Sequence, residues 1–432
     1  MLDVSSSPNI KRAKHWSSEL NQLYRPTAKF TPESFDIVYS GDNLNTTRFT
    51  PVLLKEWFNL VAKDGYLFVD YRPNSFCDFQ TLEENMLWLW KDKYEIIYHG
   101  LLYRNEARNL TPTKLVGFLD KQKNYYKINL DPITLLPPLA PTIETPVSDS
   151  DSIRFVCRKT QSTCIPGDEI SKWTFGIITD GKRRDWMEEI IASIRAQRIP
   201  QYEIIVCGTY YDREEPDFIY IPFNQRRDKK WITRQKNLIC ERAKYENICI
   251  LHNRLVLDKN WYSGMKKWGN CFEVLNVKQI QQNTGLLGNH WEYNYFLLYK
   301  KKSRFFNKII LQFTATLDPR DWYESIVMYG QSIVCKKHIY LEHKQNEALY
   351  WDWAEDHSFS FELINAGYIM RHNPYSLMYN LDSKNWCNNV RVVYSPVLKI
   401  TRFIGPRAKL AYRWLIITLL RILKPYQLLT DL

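Results

Sequence analysis

Two short stretches hold side chains suited to acid–base and anion chemistry. In "NEALYWDWAEDHSFSFELINAGY", residues 346 to 368, the acidic pair Glu355-Asp356 opens an amphipathic helical pattern that runs to Gly367. A carboxylate at a helix start is held rigidly while its neighbour takes a further hydrogen bond. Asp356 there suits a general base supported by Glu355, although from the residues alone a plain helix cap is the favoured reading. In "ICILHNRLVLDKNW", residues 248 to 261, a short apolar strand delivers the polar triplet His252-Asn253-Arg254 to its end. Hard cations prefer carboxylate oxygens, and a fixed arginine repels them, so the triplet alone makes a poor cation site. Arg254 can instead grip phosphate oxygens in bidentate fashion, with Lys229, Lys230 and Arg234 of "RRDKKWITR" adding positive charge. A weak metal site stays open as an alternative, with His252 or His357 as ligand and Asn253 contributing. A lone histidine at a strand end is more often structural, which keeps a degenerate, non-catalytic site as a third reading.

The elements that must present these groups follow from apolar periodicity. From residue 173, "WTFGIITDGKRRDWMEEIIASIRAQRIPQYEIIVCGT" predicts a strand ending at Thr179-Asp180-Gly181, a helix with apolar Trp186, Ile190, Ile191 and Ile194, and a strand ending at Cys207. A strand at 218 to 223, a helix at 231 to 244 and a strand at 247 to 253 come next. Upstream, "FDIVYSGDNL" (35 to 44) and "YLFVDY" (66 to 71) read as strands around an amphipathic helix, 51 to 65, closed by Gly65. Strand, helix, strand implies a parallel pair. A helix at 81 to 93 and strands at 94 to 103 and 152 to 159 complete this part, with the Pro-rich stretch 131 to 152 as a linker.

The order from 173 to 380 resembles the GT-A (Rossmann-like) fold of family 2 glycosyltransferases. The resemblance rests on the strand, polar turn and helix ending in Gln197-Arg198-Ile199-Pro200, the strand "YEIIVC", Arg234 and Asn237 near a helix start, the polar strand end at 252 to 254, and Glu355-Asp356 before "FSFELINAG". It implies sugar transfer from a nucleotide-diphosphate donor, with inversion, and assigns the general base to the acidic pair, here Asp356 with Glu355 as support. Thr179, Asp180, Arg234, Asn237, His252, Asn253 and Arg254 are then the candidate nucleotide-sugar-binding residues; Asp180 reads equally well as the turn residue of an Asp-Gly pair. Where the family has an Asp-x-Asp pair for Mn2+ or Mg2+, this chain has His252-Asn253-Arg254, so no cofactor is certain and metal-independent or weakly metal-dependent transfer is expected. Residues 33 to 159 resemble the second half of a class I methyltransferase, through "FDIV", a helix ending in Leu-x-x-Gly and "YLFVDY". That family's Gly-rich cofactor turn is missing: the first glycine of the chain is Gly41.

The expected organisation is α/β throughout: a partial methyltransferase-like α/β domain at 1 to 160, a GT-A domain at 161 to 385, and a basic amphipathic tail at 386 to 432. In the tail, Arg402, Lys409, Arg413, Arg421 and Lys424 share one side of a helical wheel, which suits the surface of an anionic membrane or packing on protein. Such placement brings the chain to a lipid-linked or glycan acceptor of surface polysaccharide or glycolipid synthesis. The net charge of +12 calls for an anionic partner; no nucleic-acid recognition module is legible, so nucleic acid is not expected. Nine scattered cysteines without a Cys-x-x-Cys pair argue against zinc and for a reducing compartment. No signal peptide and no run of about 18 apolar residues is found, which predicts a cytoplasmic, peripherally membrane-associated protein. The competing functions are a non-catalytic nucleotide or sugar binder, which loss of the metal carboxylates favours and the acidic pair opposes, and a methyltransferase, which the missing glycine turn opposes.

Overall fold

The computed structural model describes residues 1–3, 14–15, 30–45, 50–102, 152–210, 213–224, 231–282, 296–297, 312–313, 328–350 and 355–382. Most of the Pro-rich linker, Lys229, Lys230 and the tail 386 to 432 lie outside these residues. The chain divides into two compact mixed α/β units, with the break between Ile165 and Pro166.

The first unit is a six-stranded sheet. It contains β1 (Leu2–Asp3), β2 (Lys14–His15), β3 (Phe35–Gly41), β4 (Val61–Tyr71), β5 (Tyr94–Leu101) and β6 (Ile153–Lys159), in the order β2-β1-β3-β4-β6-β5. β3 and β4 are parallel, as the intervening helix α1 (Thr50–Leu60) requires, whereas β6 runs antiparallel to both β4 and β5. α1 stops at Leu60 rather than at Gly65. Residues 61 to 65 already belong to β4, and Asp64 adopts φ 65°. A Cβ at Gly65 would lie 2.7 Å from the Asp36 carbonyl oxygen, so this glycine serves a close strand approach and not a helix end. α2 (Phe79–Trp90) is capped by Asp78, whose carboxylate accepts from the Thr81 amide at 2.8 Å.

Two buried ion pairs tie this unit together. Arg154 donates to both oxygens of Asp70 at 2.7 and 2.6 Å, and the Tyr39 hydroxyl donates to Asp70 Oδ2 at 3.0 Å. Lys159 is 0% exposed; its Nζ donates to the carbonyls of Phe58 and Val61 and to Thr163 Oγ1, and lies 2.9 Å from Glu33 Oε1.

The second unit holds an eight-stranded sheet in the order β11-β16-β12-β15-β10-β7-β8-β9. Its strands are β7 (Lys172–Thr179), β8 (Gln201–Gly208), β9 (Phe218–Pro222), β10 (Asn247–His252), β11 (Leu255–Leu257), β12 (Val274–Gln281), β15 (Ser332–Lys336) and β16 (Met370–Asn380); β13 (Phe296–Leu297) and β14 (Gln312–Phe313) pair separately. β10, β7, β8 and β9 are mutually parallel; β7, β8 and β10 are buried on both faces, hence their near-continuous apolar runs, while β9 at the sheet's end is mostly half-buried. β15 enters antiparallel beside β10, and β12 and β16 follow.

The helices of this unit are α3 (Arg184–Arg195), α4 (Ile232–Arg242), α5 (Trp261–Trp268), α6 (Lys337–Glu342) and α7 (Glu355–Asn365). α3 buries Met187, Ile190, Ile191 and Ile194; Trp186 is half-buried, with the Arg183 guanidinium 4.2 Å above its ring. Every cysteine among the described residues is a free thiol. Among the described residues, no helix is long and apolar enough to cross a membrane.

Candidate active site at the carboxyl edge of the second sheet

Because β7, β8 and β10 are parallel, their carboxyl ends lie on one edge of the sheet, where open α/β sheets bind ligands. β15 runs the other way, so the turn that precedes it arrives at the same edge: the His252 amide donates to the Gln331 carbonyl at 2.9 Å. β16 ends there too, with the Leu381 amide bonded to the Arg254 carbonyl at 2.9 Å. The topology thus brings Thr179-Asp180, His252-Asn253-Arg254, Gly330-Gln331 and Asp382 together from distant parts of the chain.

Asn253 links the first two groups. Its Nδ2 donates to Thr179 Oγ1 at 3.2 Å and to Asp180 Oδ1 at 3.3 Å. Asp180 Oδ1 also accepts the Lys182 amide at 3.2 Å, the turn geometry expected of an Asp-Gly pair, and the carboxylate stays half-buried. Arg254 is aimed by Gln331: Nε donates to Gln331 Oε1 at 2.7 Å. Nη1 of Arg254 and Nη2 of Arg183 lie 3.6 and 3.4 Å from the same oxygen, Asp382 Oδ2. Burial lowers the Arg254 pKa from its ordinary value, opposed by Tyr329 and Asp382 and aided by Arg183.

The acidic pair occupies the first turn of α7, where negative charge stabilises the helix. Asp356 Oδ2 accepts the Gly330 amide at 3.2 Å and Oδ1 accepts the His357 amide at 2.9 Å, so both oxygens are oriented beside the β15 entry. Glu355 is buried, with its Oε1 3.7 Å from Nζ of Lys236 on α4. His252 is half-buried, and its Nε2 is enclosed without a hydrogen-bond partner among the described residues. Burial drives the imidazole pKa well below its ordinary value, and the charges of Lys236 and Arg254 push the same way, against a backbone hydrogen bond with Gly330. His252 is therefore neutral across the physiological range.

A hard divalent cation does not fit this donor set. Arg254 and Arg183 stand beside the 252 to 254 strand end with the Asp382 carboxylate already shared between them, Glu355 faces Lys236, and His357 is exposed on α7. Among the described residues no group of three or more His, Cys, Asp and Glu side chains converges in the way a metal ion needs.

Two of the sequence-derived candidates stand apart from this group. Asn237 is 1% exposed and fully engaged: Nδ2 donates to the Gln345 carbonyl and Glu347 Oε1, while Oδ1 accepts from Tyr340 and the Gln345 amide. It clasps α4 to the segment before α7, and all its polar atoms are engaged within the chain. Arg234 pairs with Glu347 at 2.9 Å and Glu241 at 3.6 Å and belongs to the same clasp. Conversely, Lys236, Gln331, Arg183 and Asp382 escape the sequence reading. A signal existed for Lys236, which shares the inward spacing of Ile232, Ile239 and Cys240 on α4; for Asp382, brought in by β16, there was none.

No family model matches the chain, and no curated protein matches it. Among solved structures, residues 1–349 of S. aureus TarS superpose with a TM-score of 0.32 and 12% identity over 48% of this chain and 60% of that one. GalNAc-T7 with UDP, GalNAc and Mn2+ gives 0.37 and 11%, over 50% of this chain and 44% of that one. The chain thus spans less than two thirds of either, and likenesses this slight carry no weight beside the geometry.

Proposed function

We propose that the chain transfers a sugar from a nucleotide-diphosphate donor to a glycan or lipid-linked acceptor, with inversion at the anomeric carbon. One observation carries the proposal: the adjacent residues Gly330 and Gln331 hold a carboxylate, Asp356, and a guanidinium, Arg254, at one carboxyl sheet edge, and Asn253 beside Arg254 bonds the Asp180 turn. Asp356 takes the proton of the acceptor hydroxyl as its oxygen forms the new bond to the anomeric carbon. The bond from that carbon to the diphosphate breaks, and its electron pair leaves on the diphosphate oxygen. Arg254 meets that negative charge, with Arg183 behind it, where a metal ion would otherwise serve. Thr179 and Asp180 contact the ribose or base.

The methyltransferase-like reading of the first unit has support in the parallel β3 and β4 joined by α1, and the missing glycine turn leaves it a module without methyl transfer. The tail 386 to 432, as a basic amphipathic segment, would hold the enzyme at an anionic membrane beside a lipid-linked acceptor, on the cytoplasmic side. One observation favours the alternative of a non-catalytic binder, namely the absence of paired carboxylates at 252 to 254.

Calorimetric titration with UDP, GDP and dTDP, each with and without Mn2+, tests the proposal. Binding of one nucleotide irrespective of metal, with turnover of the matching nucleotide sugar, is the expected result. Binding without turnover selects the non-catalytic alternative, and no binding defeats both.

A further inference from the structure

Lys236 is the least expected charge in the second unit. It lies on α4, 0% exposed, and its Nζ has no hydrogen-bond partner among the described residues. An ammonium has three donors, and burying it without partners is costly. The nearest acid is Glu355, at 3.7 Å, an ion-pair distance longer than a hydrogen bond. Burial lowers the Lys236 pKa from its ordinary value, and Glu355 and Asp356 from α7 with Cys240 from its own helix oppose this in favour of the ammonium; Lys236 in turn acts on His252 at the end of β10.

The acidic pair needs such a charge. Glu355 and Asp356 are adjacent, and both press against one point of backbone: a Cβ at Gly330 would lie 3.1 Å from Asp356 Oδ2 and 3.1 Å from Glu355 Oε1. Two carboxylates this near one another, one of them buried, repel when both are ionised. We infer that Lys236 is a positioning residue for the acidic pair, its buried ammonium offsetting the Glu355 charge so that the Asp356 carboxylate is held oriented beside Gly330 at the β15 entry. This rests on the glycosyl-transfer reading, because it assigns Lys236 to the base of that reaction. It adds a residue whose charge serves the base side of the site, distinct from Arg254 on the leaving-group side.

The test uses the full chain and compares Lys236→Met with Lys236→Arg. Met conserves volume and removes the charge, so a purely structural role predicts little change in the pH profile. For Lys236→Met we expect kcat to fall at least about tenfold, the acid limb of the pH–rate profile to move up by about one unit, and nucleotide affinity to stay within about twofold. Lys236→Arg retains the charge at a different point, so its acid limb stays at the wild-type pH while kcat falls through misplacement. Should the Met variant fail to fold, the Arg variant decides: a displaced acid limb, or a kcat equal to wild type, overturns the inference. An unmoved acid limb in a folded Met variant overturns it equally. If the wild-type chain turns over no nucleotide sugar while still binding nucleotide, the glycosyl-transfer reading has failed, and Lys236 loses its role with it.

Discussion

The Arg254 guanidinium and the Asp382 carboxylate meet at 3.6 Å, and Arg183 reaches the same oxygen from the other side. One carboxylate therefore holds two guanidiniums, which leaves this trio with a positive charge in excess. Removing Arg254 and removing the Asp382 charge should act in opposite directions. Arg254→Ala is expected to raise the Kd for the bound nucleoside diphosphate about tenfold, the worth of a charged hydrogen bond. Asp382→Asn should tighten binding or leave it unchanged, with a steeper loss of affinity as salt is added. Isothermal titration at two salt concentrations reads both, and an unchanged Kd in Arg254→Ala removes that residue from the leaving-group role.

That carboxylate also marks where the sequence stopped being informative. The strands β7, β8 and β10 and the turn at Asp180 are legible because each is a local apolar run ending in polar residues. β16 is not, since its sequence "MRHNPYSLMYN" carries Pro374 and several polar residues. The structure accommodates the proline in an irregularity, where the register with β12 shifts between Val277 and Lys278 and residues 374 to 376 fall out of the ladder. A strand of this kind is specified by its partners, and Asp382 rides on it. Asn237 shows the opposite case. Its place near a helix start was read through a resemblance, while its four hydrogen bonds are spent on a segment more than a hundred residues away. Glu355 and Asp356 were legible as a pair; the lysine opposite them was visible only as an odd residue in an apolar stripe.

Asp356→Asn should separate chemistry from binding. The amide oxygen can still accept the Gly330 hydrogen bond seen at 3.2 Å, while the new NH2 gives up the bond from the His357 amide and no longer takes a proton from an acceptor hydroxyl. Loss of a positioned general base typically costs about 100-fold to 10,000-fold in rate, so kcat should fall by at least about 100-fold. Nucleotide affinity should be retained, since the diphosphate contacts lie at Arg254. A single-turnover assay alongside calorimetry checks this, and full activity in the variant moves the base elsewhere.

Removal of divalent cations is expected to leave nucleotide binding in place. The basis is chemical: Arg254 and Arg183 stand beside the strand end where a cation would have to be held and already share Asp382, and His252 Nε2 is enclosed. Titration of nucleotide after exhaustive chelation should give a Kd within about twofold of that measured with Mn2+, since no counter-charge is lost. An affinity that appears only on adding Mn2+ would show that the charge on the diphosphate is met by a metal ion after all.

The last prediction concerns the first unit, whose integrity hangs on Lys159. This ammonium is 0% exposed and serves four partners at once: two carbonyls, Thr163 and Glu33. Breaking such a buried pair from one side leaves the other groups unmet, so Lys159→Ala should cost about 3 to 5 kcal/mol in urea unfolding of the unit. Glu33 supplies the pH signature. Burial alone raises its pKa, but Lys159, the Thr163 amide and Ser162 outweigh this and hold it below the usual 4.5. A carboxyl with a depressed native pKa contributes stability fully above its unfolded value and loses it as pH falls through the native one. Unfolding free energy should therefore decline below about pH 4.5, and Glu33→Gln should flatten that decline while lowering stability at neutral pH. An equally steep acid decline in Glu33→Gln would assign the proton uptake to another carboxyl.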